Sequence, residues 1–259
     1  MSKIAEAFKQ GKAFIGFLTA GDPSIEKSCE YILTMEKAGA DLVEIGIPFS
    51  DPIAEGVVIQ EANIRALSAH TRLEDVFRLV EMVRKTSRIP LVFLTYANPI
   101  FNYGKERFFA KCANTGIDGV IIPDVPFEER EEFSKEAAQH GIDIIAMIAP
   151  TSKERIRNIA RAGQGFLYIV SSLGVTGVRS EITTDLADII QVVKSETTVP
   201  CAVGFGINTT AQAEAIAGIA DGVIVGSAIV KIIAQYGADA GTHIFEYVKA
   251  MKEAVNRAE

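Results

Sequence analysis

The chain has little of what secreted or metal-bound domains are built around. Its three cysteines, Cys29, Cys112 and Cys201, are odd in number and widely spaced, which excludes a disulfide framework and matches no zinc pattern. A reducing compartment, the cytoplasm, is implied. The three histidines, His70, His140 and His243, fall far apart in helical or helix-flanking segments, so no metal centre is expected and surface positions are. Basic residues number 26 against 33 acidic ones, a formal net charge of −7, leaving no basic stripe for a nucleic-acid backbone. No run approaches the ~20 apolar residues of a membrane span. The apolar AFIGFLTA near the N-terminus is short, and cleavage after Ala20 as a secretory signal would remove what reads as the first strand. The expectation is a soluble, unprocessed, cytoplasmic protein that binds neither nucleic acid nor membrane.

What is present is alternation. A short apolar strand over residues 13–19 ends at Gly21-Asp22-Pro23, and Ser24 then caps a helix that Gly39 stops. A strand around Leu42 to Ile47 follows, then helical segments near 59–69 and 73–86. The order continues as strand 90–95, helix 104–115, strand 118–123, helix 128–140, strand 142–148, helix 152–162, strand 165–171, helix 184–195, strand 199–204, helix 209–218 and strand 221–225, closing with a short and a long helix. Eight strand–helix units at about 30 residues each suit the roughly 250 residues of a (β/α)₈ barrel. The fold class expected is therefore α/β, a single-domain TIM barrel over 1–259 with extra helices. A doubly wound open sheet is the runner-up; it would show fewer strands and a G-x-G-x-x-G turn, which LTAGDPS lacks.

The stretch DLVEIGIPFSDPIAEGVVIQ, residues 41–60, organises the chemistry. Glu44 sits in the middle of an otherwise apolar strand, where an ionised carboxylate is costly unless something requires it. Glu55 lies in the loop that leaves that strand, on the barrel face where active sites occur. Glycine-rich strand ends in SSLGVTGVRS, AVGFGINTT and IVGSAIV bring backbone N–H groups close to an anion, and helices starting there add their positive ends. One such loop alone would be a turn; three at successive strand ends favour a phosphate. No strand end offers a Schiff-base lysine, and no histidine cluster offers a metal, so acid–base work falls to Glu44 and Glu55 with Tyr168 as a third polar group. Asp118 and Asp124 flank the fourth strand as loop-orienting acids. Phe17, Leu94, Ile121 and Phe205 are core residues by default, each near a strand's C-terminal end where an apolar ligand would also be lined.

The segments GFLTAGDP, VEIGIPFSDPIAEG, LTYANPIFNYG, IPDVPFEE, GVTGVR and VGFGI, in this order from residue 16 to 207, resemble the α subunit family of tryptophan synthase. The resemblance implies a (β/α)₈ lyase cleaving indole-3-glycerol phosphate to indole and glyceraldehyde 3-phosphate, without metal or organic cofactor. It implies that Glu44 protonates the indole ring at C3 and takes the glycerol hydroxyl proton, and that Glu55 stabilises the charge developing at the indole N–H. The family's usual residue at that place is aspartate, so glutamate is a departure; Val57-Val58 after Gly56 is another. Tyr168 would lie near the reacting carbons, and Thr176 in a loop that closes over the substrate. Gly177, Gly206, Gly226 and Ser227 would hold the phosphate, and Phe17, Leu94, Ile121 and Phe205 would line the indole pocket. A β subunit carrying its own pyridoxal phosphate would meet Asp51, Pro52, Asn98 and Pro126, in an αββα assembly. Two other readings stay open on the sequence: a subunit that chiefly activates β, with weak chemistry because of Glu55, and a related phosphosugar barrel, against which GIPFSDP and the missing lysine argue.

Overall fold

The computed structural model describes residues 3–171, 179–204 and 206–258. Its sheet consists of nine parallel segments: β1 Ala13–Thr19, β2 Leu42–Gly46, β3 Leu91–Leu94, β4 Gly119–Ile121, β5 Asp143–Ile144, β6 Ala146–Ile148, β7 Leu167–Val170, β8 Cys201–Gly204 and β9 Gly222–Val225. β5 pairs with β4 and β6 with β7, and the Ile145 N–H between them still donates to the Val120 carbonyl at 2.9 Å. They are thus two halves of one strand. Since β1 pairs with both β2 and β9, the ring closes as an eight-stranded barrel.

Between the strands run α1 Ile25–Lys37, α2 Val57–Ser68, α3 Leu73–Arg84, α4 Ala97–Tyr103, α5 Lys105–Thr115, α6 Glu131–Gln139, α7 Lys153–Arg161, α8 Arg179–Glu196, α9 Thr210–Ala217, α10 Ser227–Tyr236 and α11 Gly241–Asn256. Among the described residues no helix is long and apolar enough to cross a membrane.

The period-2 pattern of the strands explains why both of their faces are apolar. On β1, Phe14 and Leu18 point outward into the layer shared with the helices, while Ile15 points into the barrel with Leu42, Val92, Ile121, Tyr168, Ala202 and Ile224. Ile4, on an N-terminal 3₁₀ turn over Lys3–Phe8, is fully enclosed in the same inner cluster. That turn stoppers the end of the barrel where the strands begin. There Asp118, 7% exposed, accepts from the Leu91 N–H at 2.9 Å and from Arg84 at 3.0 Å, with Lys3 at 3.5 Å. Burial lowers the Arg84 pKa, and the Asp118 charge opposes that shift.

Several elements depart from the expected boundaries, with α8 beginning at Arg179 and not at the expected residue 184. The expected strand 142–148 is interrupted at Ile145, and α4 is an additional helix before α5. Pro99 argues against a helix in a local reading, yet it stands in the first turn of α4, where a missing N–H costs nothing. The cap comes from elsewhere: both oxygens of Asp124, beyond β4, accept the Ala97 N–H at 3.1 and 3.2 Å.

Asp118→Ala is expected to lower the unfolding free energy in urea by about 2–4 kcal/mol, because it leaves a buried guanidinium without its counter-charge. Turnover at the opposite end of the barrel should not change. A variant with wild-type stability would mean that the Arg84 contacts to backbone carbonyls suffice alone.

Candidate active site

At the end of the barrel where the strands finish, a cavity of about 610 Å³ opens among β1, β2, β3, β7, the β8–α9 turn and α10. Its size is ordinary for a small-molecule site. Phe17, Glu44, Glu55, Leu94, Tyr168, Gly206, Gly226 and Ser227 all line it. The strand register explains the grouping: Phe17 pairs with Glu44 across β1 and β2, so the ring and the carboxyl lie side by side facing inward. Two glycines make the space. A Cβ on Gly46 would come within 2.6 Å of the Phe17 ring, and one on Gly204 within 2.3 Å of the Tyr168 hydroxyl.

Glu44 is 1% exposed, and its Oε1 has no hydrogen-bond partner among the described residues. Burial alone pushes its pKa up to about 8, so the carboxyl is mostly protonated at neutral pH. Tyr168, 8% exposed, is also pushed up, first by burial and then by the charge of Glu44. Glu55 differs. Burial raises its pKa, but hydrogen bonds from Asn63 and Tyr96 pull it back, and the Asn63 amide reaches Oε2 at 2.5 Å. The helix that carries Asn63 is pinned to the loop after β1 by a two-pronged pair between Arg65 and the buried Asp22, at 2.9 and 2.7 Å.

The far side of the cavity is built for an anion. Gly226 precedes α10 with no side chain capping it, so the first-turn N–H groups beside Ser227 are free to bind a ligand. Gly206 sits in a left-handed conformation, φ 84°. Lys231, four residues after Ser227 and so on the same helix face, lines the rim as well. Asn208 and Tyr247 complete that wall, joined by the Tyr247 hydroxyl donating to the Asn208 carbonyl at 3.0 Å.

Ile121 departs from expectation. It is fully enclosed in the inner cluster and does not line the cavity; Pro123, two residues further along the same face, does. Strand tilt is the reason, since residues paired in register on neighbouring strands stand at different heights along a barrel axis. Thr176, Gly177 and Phe205 lie outside the described residues. Asp51, Asn98 and Pro126 are exposed and Pro52 half-buried, with the exposed apolar side chains Ile53, Val57 and Phe101 on the same segments. Pro126 also lines a second cavity of about 590 Å³ that shares Pro123 and Met147 with the first. None of the three histidines reaches the cavity; His140 pairs with Glu106 at 2.8 Å and His243 stacks on Tyr236. The cavity residues that a sequence reading passed over are Asn208, Lys231 and Tyr247, together with Asn63 and Tyr96 behind the wall. Only Lys231 carried a signal, its i+4 spacing from Ser227.

The sequence model of a family described as tryptophan synthase alpha chain matches residues 4–258. The tryptophan synthase alpha chain of Lacticaseibacillus casei is 47% identical over 256 residues, which cover 99% of this chain and 96% of that protein. The one from Caldanaerobacter subterraneus subsp. tengcongensis is 46% identical over 260 residues, covering 98% and 97%. Among solved structures, a tryptophan synthase alpha chain from Legionella pneumophila superposes with a TM-score of 0.88 at 34% identity, covering 99% of this chain and 98% of that one. A chain from the tryptophan synthase α2β2 complex of Pyrococcus furiosus gives 0.87 at 36% identity, covering 94% and 99%.

The raised Glu44 pKa sets a pH dependence of stability. Between the ordinary value of 4.5 and about 8, the folded chain keeps a proton that the unfolded chain has released. The contribution is full below pH 4.5 and is lost as pH rises through about 8. Relative to Glu44→Gln, the wild type should therefore lose on the order of 3–5 kcal/mol across that window, read from urea melts at a series of pH values. Parallel curves for the two proteins would contradict the burial-driven shift.

Proposed function

The chain belongs to the tryptophan synthase alpha chain family, and from its cavity we infer how it acts as the lyase subunit of L-tryptophan biosynthesis. The carrying observation is the buried Glu44 carboxyl, whose Oε1 has no partner among the described residues, on the wall of a cavity whose opposite side is the uncapped start of α10. The substrate that suits both ends is indole-3-glycerol phosphate. Its ring would lie between Phe17 and Leu94, and its phosphate at Gly206, Gly226 and Ser227.

In this reading the protonated Glu44 gives its proton to C3 of the indole ring. The positive charge that then appears at the ring nitrogen is met by Glu55, whose anionic form its two hydrogen-bond donors favour. The Glu44 carboxylate next takes the proton of the hydroxyl on the carbon attached to the ring. The C–C bond breaks, its electrons return to the ring, and indole and glyceraldehyde 3-phosphate result with Glu44 protonated again. The ring serves as the electron sink that a Schiff-base lysine or a metal would supply in other aldol cleavages, so no cofactor is required of this chain. Tyr168 stands beside Glu44 as a neutral phenol near the reacting carbons. Thr176 and Gly177 belong to the loop assigned to closure and phosphate contact.

We further assign the surface formed by Asp51, Pro52, Asn98 and Pro126, with exposed Ile53, Val57 and Phe101, to a β subunit that carries pyridoxal phosphate, in an αββα assembly. The Pyrococcus furiosus neighbour is part of such an α2β2 complex. The cytoplasm is the compartment that suits a biosynthetic subunit of this kind. A purely activating role has no observation in its favour, since Glu55 lines the cavity despite its extra methylene.

Steady-state indole release from indole-3-glycerol phosphate, measured with the chain alone and with its β subunit, tests the reading. Activity should rise with β and fall by about 10²–10⁴-fold in Glu44→Gln. The wild-type kcat/KM should decline above about pH 8 as Glu44 loses its proton. Full activity in Glu44→Gln would refute the assignment. A folded chain that stimulates β yet releases no indole until Glu55→Asp is made would support the activating role instead.

A further inference from the structure

Two side chains buried behind the cavity wall grip the loop that carries Glu55. Asn63, 2% exposed on α2, donates to Glu55 Oε2 at 2.5 Å. Tyr96, 1% exposed and two residues past β3, accepts the Ala54 N–H on its hydroxyl oxygen at 3.2 Å, and its phenol stands close enough to the Glu55 carboxylate to oppose the upward push of burial on that group. The Tyr96 ring is held against Phe49, centroids 5.2 Å apart, and the Gln60 side chain donates to the Glu55 carbonyl at 2.8 Å. Backbone and carboxylate are thus fastened from three directions, although Glu55 sits in a loop with a half-exposed side chain.

We propose that Asn63 and Tyr96 are positioning residues of the lyase site, folding back the long arm of Glu55 so that its carboxylate is aimed into the cavity where the ring nitrogen would lie. A glutamate has one more rotatable bond than an aspartate, and an unrestrained carboxylate on a loop would spread over several rotamers and turn to solvent. Tyr96 suits the task because the Ala54 N–H occupies an acceptor site of its hydroxyl, leaving the phenol proton available to the neighbouring Glu55 carboxylate. The same two donors favour the charged form that a cation-stabilising role requires. Among the described residues, the other ionisable groups around the carboxylate are Glu44 and Tyr168 across the cavity, Lys231 and Tyr247 on the opposite wall, and Asp124 beyond Tyr96. The proposal rests on the lyase reading for its consequence in catalysis, but the clamp itself does not.

The experiment has two arms on the full chain. In the first, the Glu55 carboxyl is titrated by ¹³C NMR in protein labelled at the glutamate side-chain carboxyl, with Glu55→Gln giving the assignment. Its midpoint should rise by about one unit in Tyr96→Phe and in Asn63→Ala. In the second, indole release should show kcat reduced about 10–50-fold in each variant with KM little changed, and neither substitution should lower kcat further in a Glu55→Ala background. Tyr96→Phe keeps the ring against Phe49, so it reports even if Asn63→Ala unfolds. A Glu55 titration that neither substitution moves overturns the proposal, as does a kcat loss that persists in the Glu55→Ala background. Absence of indole release in the wild type counts against the lyase reading alone, with the titration still deciding the clamp.

Discussion

A carboxyl taken out of water, whose Oε1 finds no partner among the described residues, is the constraint around which this barrel is arranged. Ionising Glu44 in the apolar barrel interior would cost a large part of a protein's usual margin of stability. The chain meets this by keeping the group protonated, with a pKa near 8. The neighbours follow from that choice: Phe17 in register beside it, Gly46 leaving room for the Phe17 ring, and Gly204 leaving room for Tyr168. A donor or cation within reach of Oε1 would bring the pKa down and remove the acid. Burial with no donor to Oε1 among the described residues is therefore what keeps this carboxyl protonated near neutral pH.

The closed ring separates this costly site from the interactions that hold the fold. At the strand starts, Ile4 seals the interior and Asp118 ties Leu91, Arg84 and Lys3 together. At the strand ends the chain spends its residues on a cavity and on loops fastened by side chains from other elements, such as Asp124 on α4 and Arg65 on the loop after β1. Inner residues below the cavity and the outer layer under the helices are continuous apolar packing. That rigidity lets two carboxyls from β2 and the loop after it keep fixed places.

Most of this was readable along the chain, because strand alternation and helix caps are local. Glu44 announced itself as the one acid in an apolar run, and the glycines at the later strand ends pointed to an anion. Long-range partners were not readable. α4 is capped by Asp124, 27 residues away, and its Pro99 reads locally as a helix breaker. Ile121 looks like a cavity residue by its place at a strand end, but the tilt of the strands sets it a layer lower and brings Pro123 to the wall. Tyr96 sits inside LTYANP with nothing nearby to mark its hydroxyl; its meaning depends on Ala54 and Glu55, some forty residues earlier.

The two acids make a final point about how one cavity runs opposite chemistries. Both carboxyls are pushed toward the neutral form by burial. What distinguishes them is the supply of donors among the described residues: none at Glu44 Oε1, the Asn63 amide at Glu55 with the Tyr96 phenol beside it. Hydrogen bonds to the charged form act against desolvation, so the same loss of water meets no opposition at Glu44 and is partly offset at Glu55. The difference thus lies in the partners that α2 and the turn after β3 bring to Glu55, Asn63 and Tyr96, and not in the acid itself.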